Sequence, residues 1–104
     1  VTHIAPEGFK KGVRIDASVD VFSFGIIMWE LVCGRGYRPY KELELDDIPA
    51  AVQAGARPVF PPGAHVPSAY KQLAAACWSQ EPHRRPSAAD VVSVVKEWLN
   101  AVRD

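Results

Sequence analysis

Between Ser18 and Cys33 the chain places Val21, Phe22, Phe24, Ile26, Ile27, Met28, Trp29, Leu31 and Val32, an apolar set that covers nearly the whole circumference of a helix. A helix at a protein surface carries one apolar stripe, so one that is apolar all round has to be packed on most sides. Ser18 is placed to cap it and Gly34 to stop it. The segment is too short to cross a membrane. Its most apolar run, Val21 to Cys33, is interrupted by Ser23 and Glu30 and falls short of the roughly 20 residues a span needs. The fold therefore has to be built around residues 18–33 as a buried central strut.

The flanking sequence supplies short helices and Pro-rich connections. Residues 1–16 read as loop, as do residues 34–45 with Gly34, Gly36 and Pro39. Asp46 is placed to cap a short helix to about Ala54, with Pro49 tolerated in its first turn and Gly55 ending it. Pro58, Pro61, Pro62 and Pro67 forbid a helix and disfavour a strand, so residues 56–67 are expected as an extended surface connection. Ser68 opens a helix to about Trp78, with Tyr70, Leu73, Ala74 and Cys77 on one side. Ser87 and Asp90 form a capping-box pair ahead of a last helix carrying Val91, Val92, Val94, Val95, Trp98, Leu99 and Val102. The expectation is an all-α chain of about four helices, with no clear strand and no internal repeat.

Composition narrows the function. Lys and Arg total 12, Asp and Glu total 12, and the formal net charge is zero. Nucleic-acid and acidic-membrane binders carry a basic excess, so neither partner is expected. Cys33 and Cys77 form no CxxC pair, and no His cluster has metal-ligand spacing. Both lie in apolar stretches and read as reduced, buried thiols suited to a reducing, cytoplasmic location, with a disulfide between them as the alternative. The chain begins at Val1 with no signal or transit segment, so residues preceding it are expected in the parent protein.

Three runs then fall in order: Ala5-Pro6-Glu7; Asp20-Val21-Phe22-Ser23-Phe24-Gly25 continuing to Trp29-Glu30-Leu31; and Cys77-Trp78-Ser79-Gln80-Glu81-Pro82-His83-Arg84-Arg85-Pro86-Ser87. Together they resemble the end of the eukaryotic protein kinase domain: its A-P-E tripeptide, its central C-lobe helix, and the C-W…P-x-x-R-P-S junction between its last two helices. Gly34-Arg35 and Pro39-Tyr40 resemble the tyrosine-kinase-like branch, whose members mostly phosphorylate Ser and Thr. The resemblance covers nearly all of residues 1–104. It implies a partial kinase domain, the lower lobe of an α+β fold.

The resemblance also implies roles. Glu7 and Arg85 would form the buried ion pair that ties the activation segment to the C-lobe, and a planar guanidinium suits that task. Asp20 would steady the catalytic loop by hydrogen bonds, although from its position alone it reads equally as a first-turn acid facing free backbone N–H groups. Val1, Thr2 and His3 map onto the loop under the residue after the phosphoacceptor, the substrate-facing segment present here. The family usually has Tyr or Trp where His3 stands and Met where Ile4 stands, so His3 is a departure. Trp29 and Trp78 read as core, and Gly25 as a site where another element approaches closely.

The complete kinase domain uses ATP and Mg, and phosphoryl transfer needs a Gly-rich loop, a strand lysine, an H-R-D catalytic loop and a D-F-G aspartate. None is in these 104 residues. Gly34-Arg35-Gly36 starts a G-x-G but follows a helix and reaches Pro39, and His83-Arg84-Arg85 lacks the aspartate base. No catalytic residue and no metal ligand is therefore assigned, and this chain alone is expected to be inactive. The expected partners are a protein substrate and the upstream remainder of the domain. The competing expectation is a non-catalytic pseudokinase or interaction module that docks through residues 46–54 and 56–67. An unrelated helical bundle explains the helices but not the three runs.

Overall fold

The computed structural model describes residues 2–9, 16–33, 38–61 and 65–103. Its elements run from a 3-10 turn, Pro6–Phe9, to α1, Ser18–Cys33, a second 3-10 turn, Leu45–Asp47, and α2, Ile48–Gln53. They continue with α3, Ser68–Cys77, a third 3-10 turn, Pro82–Arg84, and α4, Ala88–Arg103. No strand occurs among the described residues, as expected. The predicted stop at Gly34 lies outside them.

Helix α1 is the axis of the core. Phe22, Ile26, Met28 and Trp29 are buried, joined by Ile48 and Val52 of α2, Ala74 of α3, Tyr40 and Trp78. Gly25 makes the α1–α3 approach possible: a Cβ there would meet the Ala74 carbonyl oxygen and Cys77 Cβ, each at 3.0 Å. A chain of rings extends the core, with Phe60 stacked on Trp78 at 6.1 Å and Tyr70 stacked on Trp98 at 6.1 Å. The Tyr70 hydroxyl donates to the Met28 carbonyl at 2.7 Å, and the Trp29 indole donates to the Val59 carbonyl at 2.9 Å. Those bonds satisfy polar atoms that burial would otherwise strand.

Four details differ from expectation. Ser18 is the first residue of α1 and not its cap: the Asp16 carboxylate accepts its backbone N–H at 2.9 Å and its hydroxyl at 2.6 Å. Asp46 falls inside a 3-10 turn, so α2 begins two residues later at Ile48 with no side-chain cap. Residues 56–61 are extended but not wholly superficial, because Pro58 is buried and Phe60 joins the core. Lastly, α1 is wrapped on most of its circumference but not all, since Ile27 is 43% and Leu31 73% exposed. Asp20, Ile27 and Leu31 line that open side at helical spacing, and Asp20 is also exposed.

The other end signals act as written. Ser87 Oγ accepts the Asp90 backbone N–H at 3.0 Å, while the Asp90 carboxylate accepts the Ser87 backbone N–H at 3.4 Å, a reciprocal capping box. At the end of α2, Gly55 takes φ +110, the Ala56 N–H reaches the Ala51 carbonyl and the Gly55 N–H reaches the Val52 carbonyl. That is a Schellman closure, and it needs a residue without a Cβ at its left-handed position.

Candidate functional site

Pro6 opens the turn Pro6–Phe9, whose backbone closes through the Gly8 N–H to the Ala5 carbonyl at 2.9 Å. That turn aims Glu7 inward. Arg85 sits just after the turn Pro82–Arg84, in extended backbone, and its side chain reaches Glu7 from the opposite end of the chain. Arg85 Nη1 donates to Glu7 Oε2 at 2.7 Å and Nη2 donates to Oε1 at 3.0 Å. This is the two-pronged geometry a guanidinium offers a carboxylate. The Arg85 side chain is 0% exposed and that of Glu7 11%.

Arg85 does more than hold Glu7. Its Nε donates to the Ser79 carbonyl at 2.9 Å, its Nη1 also donates to the Ser18 carbonyl at 3.2 Å, and its guanidinium lies 5.0 Å from the Phe22 ring centroid. One side chain thus joins the first turn, the start of α1 and the α3–α4 junction. Burial pushes the Glu7 carboxyl up, but the Arg85 hydrogen bond, a backbone hydrogen bond and the guanidinium charge outweigh it, leaving Glu7 below its ordinary value.

A second guanidinium stands beside the first. Arg57 donates from Nε to the Trp78 carbonyl at 2.7 Å, from Nη1 to the Ala56 carbonyl at 2.6 Å, and from Nη2 to Gln80 Oε1 at 2.6 Å. It also lies 5.0 Å from the Phe22 centroid, so two cations share one ring. Burial first, and then the neighbouring Arg85 charge, lower its ordinary value, while Tyr40 and Glu7 oppose them. Sequence reasoning missed Arg57. A lone Arg in a Pro-rich stretch has no periodicity, and its position just before Pro58 was the one available hint.

The N-terminal segment rests on α1. The Ser23 hydroxyl donates to the His3 carbonyl at 2.6 Å, and the His3 Nε2 hydrogen-bonds Glu30 Oε1. Thr2 Oγ1 lies 3.3 Å from His3 Nδ1. Thr2 and His3 are brought together on this face of α1, and Val1 lies outside the described residues. Asp20 is in the first turn of α1 and exposed, with no side-chain partner among the described residues. Cys33 and Cys77 are both free. Burial pushes both thiols up, Cys77 to about 11, so they stay protonated and weakly nucleophilic at neutral pH.

A model of the family described as protein tyrosine and serine/threonine kinase matches residues 1–95. The chain belongs to that family. A probable LIM domain-containing serine/threonine-protein kinase of Dictyostelium discoideum is 37% identical over 91% of the chain and 14% of the relative. The megakaryocyte-associated tyrosine-protein kinase of Mus musculus is 37% identical over 94% of the chain and 19% of the relative. The mouse ephrin type-A receptor 10 is 39% identical over 89% of the chain and 9% of the relative. The chain thus spans a small part of the kinases it matches, and these include both serine/threonine and tyrosine kinases.

Kinases of this family use ATP and Mg in the complete domain. The described residues fit neither group. The described residues hold no cluster of three His, Cys, Asp or Glu able to ligate a metal. The Gly34-Arg35-Gly36 run lies outside the described residues, and Arg85 of the His83-Arg84-Arg85 run is committed to Glu7. No described helix is long and apolar enough to cross a membrane.

Proposed function

We propose that the chain serves as the lower-lobe part of an ATP-dependent protein kinase domain that phosphorylates protein Ser and Thr hydroxyls. Its contribution is scaffold and part of the substrate platform. The observation that carries this reading is the two-pronged, buried Glu7–Arg85 pair, which fastens the segment containing Thr2 and His3 to the helical core from 78 residues away. Asp20 fits a role in steadying a catalytic loop, because its carboxylate stands exposed at the start of α1. Val1, Thr2 and His3 fit a place beside the bound substrate. Two free, protonated thiols fit a reducing, cytoplasmic compartment.

The test is phosphotransfer by the parent protein that contains this chain, supplied with MgATP and matched Ser, Thr and Tyr peptides. Transfer to Ser or Thr is expected, and none from residues 1–104 alone. Transfer to Tyr only would overturn the Ser/Thr assignment. An inactive parent with no H-R-D and D-F-G motifs ahead of these residues would overturn the catalytic reading.

One observation favours a second reading, a non-catalytic interaction module. His3 stands where the family has Tyr or Trp, and its imidazole is turned to Glu30. Ala50 of residues 46–54 and Val59 of residues 56–67, both exposed, would belong to its docking surface. Specific capture of one partner by the parent, abolished by charged substitutions at both residues, together with no transfer to any peptide, is the result this reading requires.

A further inference from the structure

A cavity opens between the end of α1 and the two segments that flank α2. Trp29, Val32 and Cys33 line one side, the loop around Tyr40 a second, and residues 58–61 a third, and together they enclose about 680 Å³. Small-molecule sites usually hold about 300–1,000 Å³. The interior is apolar. The Trp29 indole N–H is already bonded to the Val59 carbonyl at 2.9 Å and the Tyr40 hydroxyl to the Ala56 carbonyl at 3.4 Å, so both ring donors are in use. Charge is confined to the rim, where Arg38, Lys41 and Glu42 are exposed. The Lys41 charge is still felt inside: burial pushes the Cys33 thiol up, and Lys41 opposes that push.

The wall around Tyr40 is strained. Among the described residues Tyr40 alone, glycine apart, has a positive φ, 60. A bulky side chain rarely adopts that backbone, and such residues persist only where their surroundings hold them, often at ligand clamps. Here the ring is buried, the Leu43 N–H closes back to the Tyr40 carbonyl at 2.9 Å, and Arg38 Nη2 donates to the Leu43 carbonyl at 3.1 Å. The loop that carries the two rim cations is thereby fixed against the apolar interior. We propose that this cavity binds a small molecule with an apolar body and a single carboxylate, the body against Trp29, Val32 and Phe60 and the carboxylate at Arg38 and Lys41. Removing the apolar body from water supplies the attraction, and charge-assisted bonds to the rim set its orientation. Arg38 spends one N–H on Leu43, and a guanidinium carries several more. Two cations against one carboxylate leave the rim a single positive charge in excess. A monoanion matches that excess, whereas a phosphate dianion brings its second charge toward Glu42.

The test uses the parent protein and probes of one shape: naphthoate, naphthamide and naphthyl phosphate. Affinity is read by calorimetry. The place of binding is read by protection of Cys33 from iodoacetamide, followed by peptide mass mapping. Naphthoate should slow Cys33 alkylation and bind more tightly than naphthamide, and naphthyl phosphate should bind no more tightly than naphthoate. Lys41→Gln should weaken naphthoate by about two- to fivefold, Glu42→Gln should tighten it by a similar factor, and neither should move naphthamide. Both residues are exposed, so thermal melts of the two variants should match the parent. No protection of Cys33, equal affinity for acid and amide, or naphthoate binding indifferent to both substitutions overturns the site. Tighter binding of the phosphate overturns the choice of a carboxylate. A parent that transfers no phosphate but shows protected, charge-sensitive binding loses the catalytic reading and keeps the site.

Discussion

Arg85 donates to Glu7, Ser79 and Ser18 and covers part of Phe22, so truncating it would strand Glu7 as a buried, unpaired carboxylate. Removing one partner of such a pair costs about 3–5 kcal/mol, and the lost carbonyl contacts add to it. We expect Arg85→Ala to lower the unfolding free energy of the parent domain by at least that much in urea titration, and a loss under about 1 kcal/mol would contradict the anchor. Acid should reveal the same pair from the other side. Glu7 sits below its ordinary 4.5 in the folded chain, so its contribution is complete above that value and lost as pH falls through the depressed folded value. Stability of the parent is expected to drop along that acid limb, and a Glu7→Gln variant, weaker at neutral pH, should show a shallower drop. Identical limbs would count against the pair. Both residues were legible in the sequence because each sits in a motif run with Pro beside it. Arg57 and Glu30 were not legible as partners: their roles depend on which carbonyl or imidazole the fold brings near, and no local pattern encodes that.

At the scale of elements, signals that act within a few residues were the most readable. Ser87 with Asp90, and Gly55 after α2, depend on bonds three to five residues apart, and both closures are present. Start points fared worse where a neighbouring residue or turn competed for the end of the helix. Asp16 displaced Ser18 as the group facing the first turn of α1, and Asp46 was absorbed into a 3-10 turn. Helix-to-helix contact was readable at Gly25, where a small residue in a bulky helix implies a close neighbour. That position yields a prediction with two opposed effects. Gly25→Ala should gain about 1 kcal/mol in helix propensity. It also places a Cβ 3.0 Å from the Ala74 carbonyl oxygen and 3.4 Å from the Trp78 backbone nitrogen, neither of which can move without shifting α3. Overpacking of this kind costs about 1–3 kcal/mol, so the net expectation is a loss of stability, with a larger loss for Gly25→Val. A more stable Gly25→Ala domain in thermal melts would mean that α1 and α3 are not so tightly apposed.

For the whole molecule, the surface left uncovered has a measurable size. A folded monomer of 11.4 kDa should expose about 5,800 Å². The chain exposes 6958 Å², an excess of about 1,200 Å² over that expectation. Its radius of gyration, 14.3 Å, also exceeds the roughly 12.9 Å of a compact chain of this length. Part of the excess is apolar: Ile27 and Leu31 on α1, and Val92, Leu99 and Val102 on α4, stand at least 43% exposed. One side of an ordinary protein interface buries about 800 Å², so the surplus is large enough to drive association when nothing else covers it. A central helix apolar all round signalled in the sequence that neighbours were needed, but not which side they would leave bare, because that depends on where α2, α3 and α4 lie. Residues 1–104 expressed alone should therefore self-associate, with a sedimentation mass that rises with concentration above 11.4 kDa. Replacing Ile27 with Lys and Leu31 with Glu should shift the chain toward monomer, since both side chains already face solvent and neither contributes to the buried core. Monodisperse, reversibly two-state melting of the unsubstituted chain would show instead that its core is sufficient by itself, and would remove the reason to expect a covering partner for α1.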